Sequence, residues 1–373
     1  MSVGRDTFFR LDTDRRRTGA GLDDVFAGPV PTPVWLVCGG PSLSADTCRV
    51  IANSPAPVMA VNLAGHGLLR PDMWTSYDPT CRFLRSLYLD ASVRKFLHGR
   101  RASDLVPETT FKVCDSPDVY FFDRDVGRVF GSLIDFGSER IVDWADSMVQ
   151  AIDILSRLGF RKIYLAGADL YVRPSGEQVE AADGRGVIYQ ERMPLDEFAS
   201  ACRSAGLSEA DLAALPAGRQ YHFLESKPWG SVVQTDRHYF RVVQWLRQSR
   251  RNLALHGIEL ISVTPGSRLN DHFESATVAE GDAAIRRAVG DPATEVTEGL
   301  YHTAAPRLPE GCGPMRDIPP LNATPDLPDA RDGDAAGEQA AAGVERPGCD
   351  RFDPDRIAAG LPAAEAVDVV EED

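Results

Sequence analysis

The sequence predicts an α/β protein: a Rossmann-like, doubly wound and mostly parallel sheet with a lid-like insertion and a disordered acidic C-terminal tail. Three observations predict it. Short runs that are apolar or aromatic almost throughout recur along residues 33–275, as in strands covered on both faces. Amphipathic helical stretches lie between them. Twice a helical pattern stops at a glycine and a strand follows at once, in "DILSRLGFRKIYLAG" and "NLALHGIELISV".

Residues 1–32 read as an N-terminal arm, with the Arg15-Arg16-Arg17 cluster expected in solvent. The main α/β domain is expected over 33–290. Its strands are Val34–Cys38, Pro57–Asn62, Met73–Tyr77, Thr110–Cys114, Lys162–Ala166 and Glu259–Val263, from their short β-branched and aromatic runs. A helix is expected from Ile141 to Leu158, with Ile141, Trp144, Met148, Ile152, Leu155 and Leu158 on one stripe. A second runs from about Asp236 to Gly257, with Phe240, Val243, Trp245 and Leu246 available for packing and Thr235 or Asp236 as its cap. Between them the pattern breaks. Residues 171–230 are polar, Gly-rich and irregular, with a capping box at Ser208–Asp211, and this reads as the lid. Residues 303–373 carry 6 basic and 16 acidic residues and hold most of a long proline-rich stretch, the composition of a disordered tail that could recruit a protein partner.

The whole chain has 373 residues, 43% hydrophobic and 25% charged, an ordinary globular composition. Most of its formal charge of −15 falls in the tail, and no basic face is apparent, so nucleic acid is not an expected partner. No apolar run is long enough for a membrane span, and the N-terminus lacks the apolar core of a secretory signal. The 7 cysteines form no C-x-x-C pair, which points to a reducing, cytoplasmic setting rather than a disulfide framework.

The functional signal begins at "WLVCGGPSL". Gly39-Gly40-Pro41-Ser42 is the first strand-to-helix turn, where glycines admit a close ligand and a helix N-terminus favours an anion. It is neither a P-loop nor a GxGxxG fingerprint. Asn62 follows the second strand, Asp78 the third, and Gly167 and Asp169 a later one, so these polar groups converge on one sheet edge. Two carboxylates there suit Mg²⁺ bridged to phosphates, at Asp78 and Asp169, or the hydroxyls of a sugar. Arg82 could neutralise phosphate, and Trp229-Gly230-Ser231 reads as a hinge or platform.

The order GGPSL, VN, PDMWTSYDP, "ADSMVQAIDILSRLGFRKIYLAGADL", "WGSVVQTDRHYFRVVQWL" and "GIELISVTPGSRL" resembles the MptE-like domain. That family includes archaeal 6-hydroxymethylpterin diphosphokinases and bacterial motility accessory factors proposed to glycosylate flagellin. The first motif and the later G-x-D also resemble sialyltransferases that use CMP-sialic acid. The resemblance spans roughly residues 33–275. Only Asp78 is acidic where the family often has an acidic pair, and Thr264-Pro265-Gly266-Ser267 stands in place of a T-x-G-G element. It implies a nucleotide-activated donor at Gly39, Gly40, Pro41, Ser42, Asn62, Asp78 and Gly167, with Asp169 as a catalytic or metal-binding carboxylate. It also implies a histidine base near the end of the insertion, which makes His222 the first candidate and His238 the second. The expected activity is glycosyl transfer from a CMP-nonulosonate-like donor. The alternatives are ATP- and Mg²⁺-dependent diphosphokinase chemistry on a hydroxymethylpterin-like alcohol, and a non-catalytic nucleotide-binding module.

Overall fold

The computed structural model describes residues 6–298, apart from 13, 15, 126–133, 223, 224, 226, 292 and 297. The expected tail at 303–373 lies outside the described residues. Ten strands form one sheet: β1 (Phe9–Leu11), β2 (Arg17–Gly19), β3 (Pro33–Val37), β4 (Val58–Val61), β5 (Met73–Thr75), β6 (Arg94–His98), β7 (Val119–Phe122), β8 (Lys162–Ala166), β9 (Glu259–Ser262) and β10 (Glu274–Ser275). Their order is β10-β9-β8-β3-β4-β5-β6-β7-β1-β2, parallel from β10 to β7 and antiparallel at β1 and β2. The chain winds outward from β3 to β7, then crosses back to β8 on the other side of β3. The topological switch point therefore lies between β3 and β8, the crevice where doubly wound sheets bind ligands.

The helices are α1 (Ala45–Ala52), α2 (Arg85–Leu89), α3 (Ser147–Arg157), α4 (Gly176–Asp183), α5 (Leu195–Ser204), α6 (Glu209–Ala214), α7 (Trp229–Leu255) and α8 (Val278–Val289). Burial explains the central elements. All of β3 and β4 is buried, and so is every residue of α3, which crosses β4 and β5. On α8, Gly281 lets the helix approach the rings of Trp35 and Tyr164, which a Cβ would meet at 3.1 and 3.2 Å.

Several expectations are corrected. Thr110–Cys114 is not a strand; its end turns into a 3-10 helix at Val113–Asp115. The strands of this region are β6 and β7. β6 escapes an apolar-run reading because it carries Arg94 and Lys95, and Lys95 is buried with its ammonium donating to the Asp90 carbonyl. The N-terminal arm is part of the sheet: Phe8 and Phe9 are buried, and Arg17, though exposed, stacks over the Phe9 ring at 3.6 Å and pairs with Asp123. The helix expected from Ile141 begins at Ser147, because Ile141 instead bridges to Arg124 and Asp146 supplies the cap. α7 begins earlier than expected, at Trp229, so Thr235 and Asp236 lie inside it, and Phe240 faces solvent.

The insertion folds as α4, α5 and α6 around its own apolar cluster, which includes Leu195, Phe198, Leu212 and Trp229. Capping boxes at Ser175–Gln178 and at the expected Ser208–Asp211 start two of these helices. A buried ion pair ties the insertion to the sheet. Asp236 of α7 accepts from the amides of Val172 and Leu195, and Arg268 donates to it at 3.0 Å while also reaching the carbonyls of Leu170 and Arg192. Each charge is fully partnered, which is the condition for tolerating such a pair in the interior.

Removing one member leaves the other's charge buried without its counter-ion. Asp236→Leu is expected to lower the unfolding free energy by about 3–5 kcal/mol, and Asp236→Leu with Arg268→Met by distinctly less. Chemical denaturation of the three proteins checks this; a double variant no more stable than the single one would show that the pair is not the clamp.

Candidate functional site

Two turns meet at the switch point. After β3 comes Gly39–Ser42, and after β8 comes Gly167–Asp169. They interlock through their glycines. The amide of Gly40 donates to the Gly167 carbonyl at 2.8 Å. A Cβ on Gly40 would lie 2.0 Å from Asp169 Oδ2 and 2.5 Å from that carbonyl. Gly167 has φ +65°, and a Cβ there would meet the Cys38 carbonyl at 2.2 Å. The space that Gly40 opens is thus filled by the chain's own carboxylate. Asp169 Oδ2 accepts from the Ser42 hydroxyl at 2.7 Å, so the chain's own carboxylate sits where the sequence suggests a phosphate. Ser42 does not cap α1; Ser44 does, through the Thr47 amide.

Above these turns opens a cavity of about 730 Å³. Gly39, Gly40, Pro41, Asn62, Asp78, Gly167 and Asp169 all line it, as does Arg82, so the residues expected at one sheet edge are brought together. Ser42 lines instead an adjoining cavity of about 520 Å³ that shares Pro41, Asp169 and Tyr171 with the first. Arg173 and Arg219 line that second compartment. Arg173 donates to the Tyr171 hydroxyl at 2.7 Å, and Arg219 to the Tyr221 carbonyl at 3.1 Å.

Asn62 sits in the left-handed region at φ 55°, a conformation asparagine tolerates. Its Oδ1 accepts from Ser76 at 2.6 Å and from Ser147 at 3.0 Å, and among the described residues its Nδ2 has no partner. Ser147, at the first turn of α3, also accepts the Tyr77 amide. Three strand and helix ends are thereby fixed together at the cavity wall.

The two candidate bases separate clearly. His222 does not line the cavity. It is 7% exposed, and its Nε2 accepts the Gly65 amide at 2.9 Å while its own amide donates to the Gly39 carbonyl. Burial pushes its pKa down, which favours the neutral ring. It is a clamp holding the insertion against the glycine turn. His238, from α7, does line the cavity, and its Nε2 lies 3.1 Å from Asp146 Oδ2. Asp146 is the N-cap of α3: its Oδ1 accepts the amides of Met148 and Val149, both at 2.9 Å. The helix end therefore fixes the carboxylate, and the carboxylate fixes the imidazole. Sequence reading missed Asp146. Its signal was an aspartate directly before an apolar helical run, hidden by starting that helix at Ile141.

Asp78 pairs with Arg82 at 3.4 Å in an exposed contact, and Asp169 is engaged by Ser42. Among the described residues no three His, Cys, Asp or Glu side chains group to hold a metal ion. Trp229-Gly230-Ser231 forms the first turn of α7, with Trp229 buried in the insertion's core.

Burial pushes the Asp169 carboxyl above its ordinary value of 3.8, against the opposing Ser42 hydrogen bonds. A raised pKa means that the folded protein holds this proton more tightly than the unfolded chain. Its stabilising contribution is complete below 3.8 and is lost as pH rises through the folded-state value. Asp169→Asn removes that dependence. Melting temperatures of both proteins across pH should show the variant gaining on the wild type as pH rises from 3.8 through the folded-state value; a pH-independent difference would contradict the assignment.

No family model matches this chain, and none of the curated proteins matches it. A solved structure of the MAf glycosyltransferase from Magnetospirillum magneticum AMB-1 is similar over 76% of this chain, with 16% identity and a TM-score of 0.35. The match covers 39% of that protein, so this chain spans about two fifths of its length.

Proposed function

We propose that the protein is a transferase whose large cavity binds a nucleotide-activated donor, and that the reaction is glycosyl transfer to a hydroxyl acceptor. The observation that carries the reading is the Asp146–His238 pair, facing a cavity at the switch point of a doubly wound sheet. Asp146 accepts Nε2–H from His238, which sets the tautomer and leaves Nδ1 as the acceptor of a proton. Nδ1 takes the proton of the acceptor hydroxyl as its oxygen bonds to the anomeric carbon. The bond from that carbon to the donor phosphate breaks, and its electron pair leaves with the nucleotide. The Asp146 carboxylate stabilises the imidazolium that forms. Arg173 and Arg219 supply positive charge beside the large cavity for the departing phosphate. A CMP-nonulosonate is the donor that the sequence resemblance favours.

His238→Gln keeps a polar side chain and removes the base. Nucleotide release from a CMP-nonulosonate donor, with water as the default acceptor, is expected to fall by about 10²–10⁴-fold. CMP binding, read by melting shift, should stay. Retained turnover in the variant would remove His238 from the mechanism. Loss of both binding and turnover would give it a structural role. A wild type that CMP, UDP, GDP, ADP and ATP all fail to stabilise would end the nucleotide reading.

A further inference from the structure

Gln220 lies in the irregular segment between α6 and α7, where it lines the large cavity. It is 6% exposed. Among the described residues neither its Nε2 nor its Oε1 has a hydrogen-bond partner. Buried amides are almost always satisfied, because desolvating a donor and an acceptor with no return is costly. A buried side chain on the wall of a cavity with neither polar end paired is matched to something that enters the cavity. The mechanism above does not use it.

The partner has a definable chemistry. A primary amide offers one donor face and one acceptor face side by side, so its complement carries an acceptor next to a donor in one plane. The edges of nucleobases have this pattern, which is why Asn and Gln pair with them bidentately. Three neighbouring features agree. Tyr221 follows directly and lines the same cavity, which offers an aromatic surface to a base. Arg219 precedes directly and lines the smaller compartment, with Ser42 and Arg173. The two compartments meet at Pro41, Asp169 and Tyr171. A nucleotide has the same polarity, a planar base at one end and an anionic phosphate at the other.

We infer that Gln220 holds the base of the bound nucleotide through a paired donor–acceptor edge, with the phosphate directed toward Arg219. This rests on the nucleotide reading of the cavity and adds the residue that recognises the base. The amide can turn over, so it distinguishes a base from no base rather than one pyrimidine from another.

The test compares CMP with ribose 5-phosphate, the same sugar phosphate without the base, by calorimetry on the full chain. The wild type should bind CMP at least about tenfold more tightly than ribose 5-phosphate. Gln220→Met keeps the chain length and removes both polar ends. It should weaken CMP by about tenfold or more while leaving ribose 5-phosphate within about twofold, and its ligand-free melting temperature should not fall. If Gln220→Met destabilises the fold, Gln220→Leu and the wild-type ratio of the two ligands decide the matter. Equal affinity of the wild type for both ligands, or unchanged CMP affinity in a folded variant, overturns the inference and leaves the amide to cavity water, with the transferase reading intact. Failure of the wild type to bind either ligand overturns both.

Discussion

The site depends on two turns that must occupy nearly the same space. Gly40 has no side chain because the Asp169 carboxylate and the Gly167 carbonyl stand where one would be. Gly167 has none because the Cys38 carbonyl stands there. Atoms of each strand exit thus fill the missing side chain of the other, at the point where the sheet reverses its direction of winding. Close-packed contacts of this kind have little room to adjust. They fix Ser42 against Asp169, and they set the floor of the cavity on which the other groups are assembled.

Those other groups reach the floor along separate routes, each anchored by its own hydrogen bonds. Asp146 is held by the first amides of α3 and in turn holds His238 of α7. Asn62 is held by Ser76 and Ser147. The insertion is fastened twice, by His222 bridging Gly39 and Gly65 and by the Asp236–Arg268 pair beneath Val172 and Leu195. The segment read as a lid folds as a small helical unit with its own core, and it contributes Gln220 and Tyr221 to the cavity. Preorganised polar groups are what a transferase needs, since reorganising them during the reaction would add to the barrier.

The central strands were legible because burial on both faces leaves an uninterrupted apolar run, as in "VWLV" and "IYLA". β6 was not, because a buried lysine satisfied by a carbonyl five residues away looks like a surface residue in one dimension. The run at 110–114 had strand propensity without a strand's partners, and tertiary context prevailed. At the site, the glycine turn, Asn62, Asp78, Gly167 and Asp169 were legible from their places after strands, since one sheet edge gathers all such positions. Their interactions were not. That Gly40 serves Asp169 is a contact between residues 127 to 129 positions apart by the span of the Ser42–Asp169 bond, and no local pattern records it. The ranking of His222 over His238 followed position along the chain; the bonds that occupy one and orient the other exist only in the fold. Gln220 carried no motif at all, because its distinguishing feature is a pair of unmade hydrogen bonds.

The central claim is that this one cavity, resting on the interlocked glycine turns, is where a nucleotide binds. The most direct measurement is a crystal structure of the chain with CMP. The account predicts density along Gly39–Pro41 at the switch point, with the sugar end within reach of His238 and the phosphate toward Arg173 and Arg219. Density for the nucleotide at another surface, with this cavity holding only water at a concentration that saturates binding in solution, would contradict it.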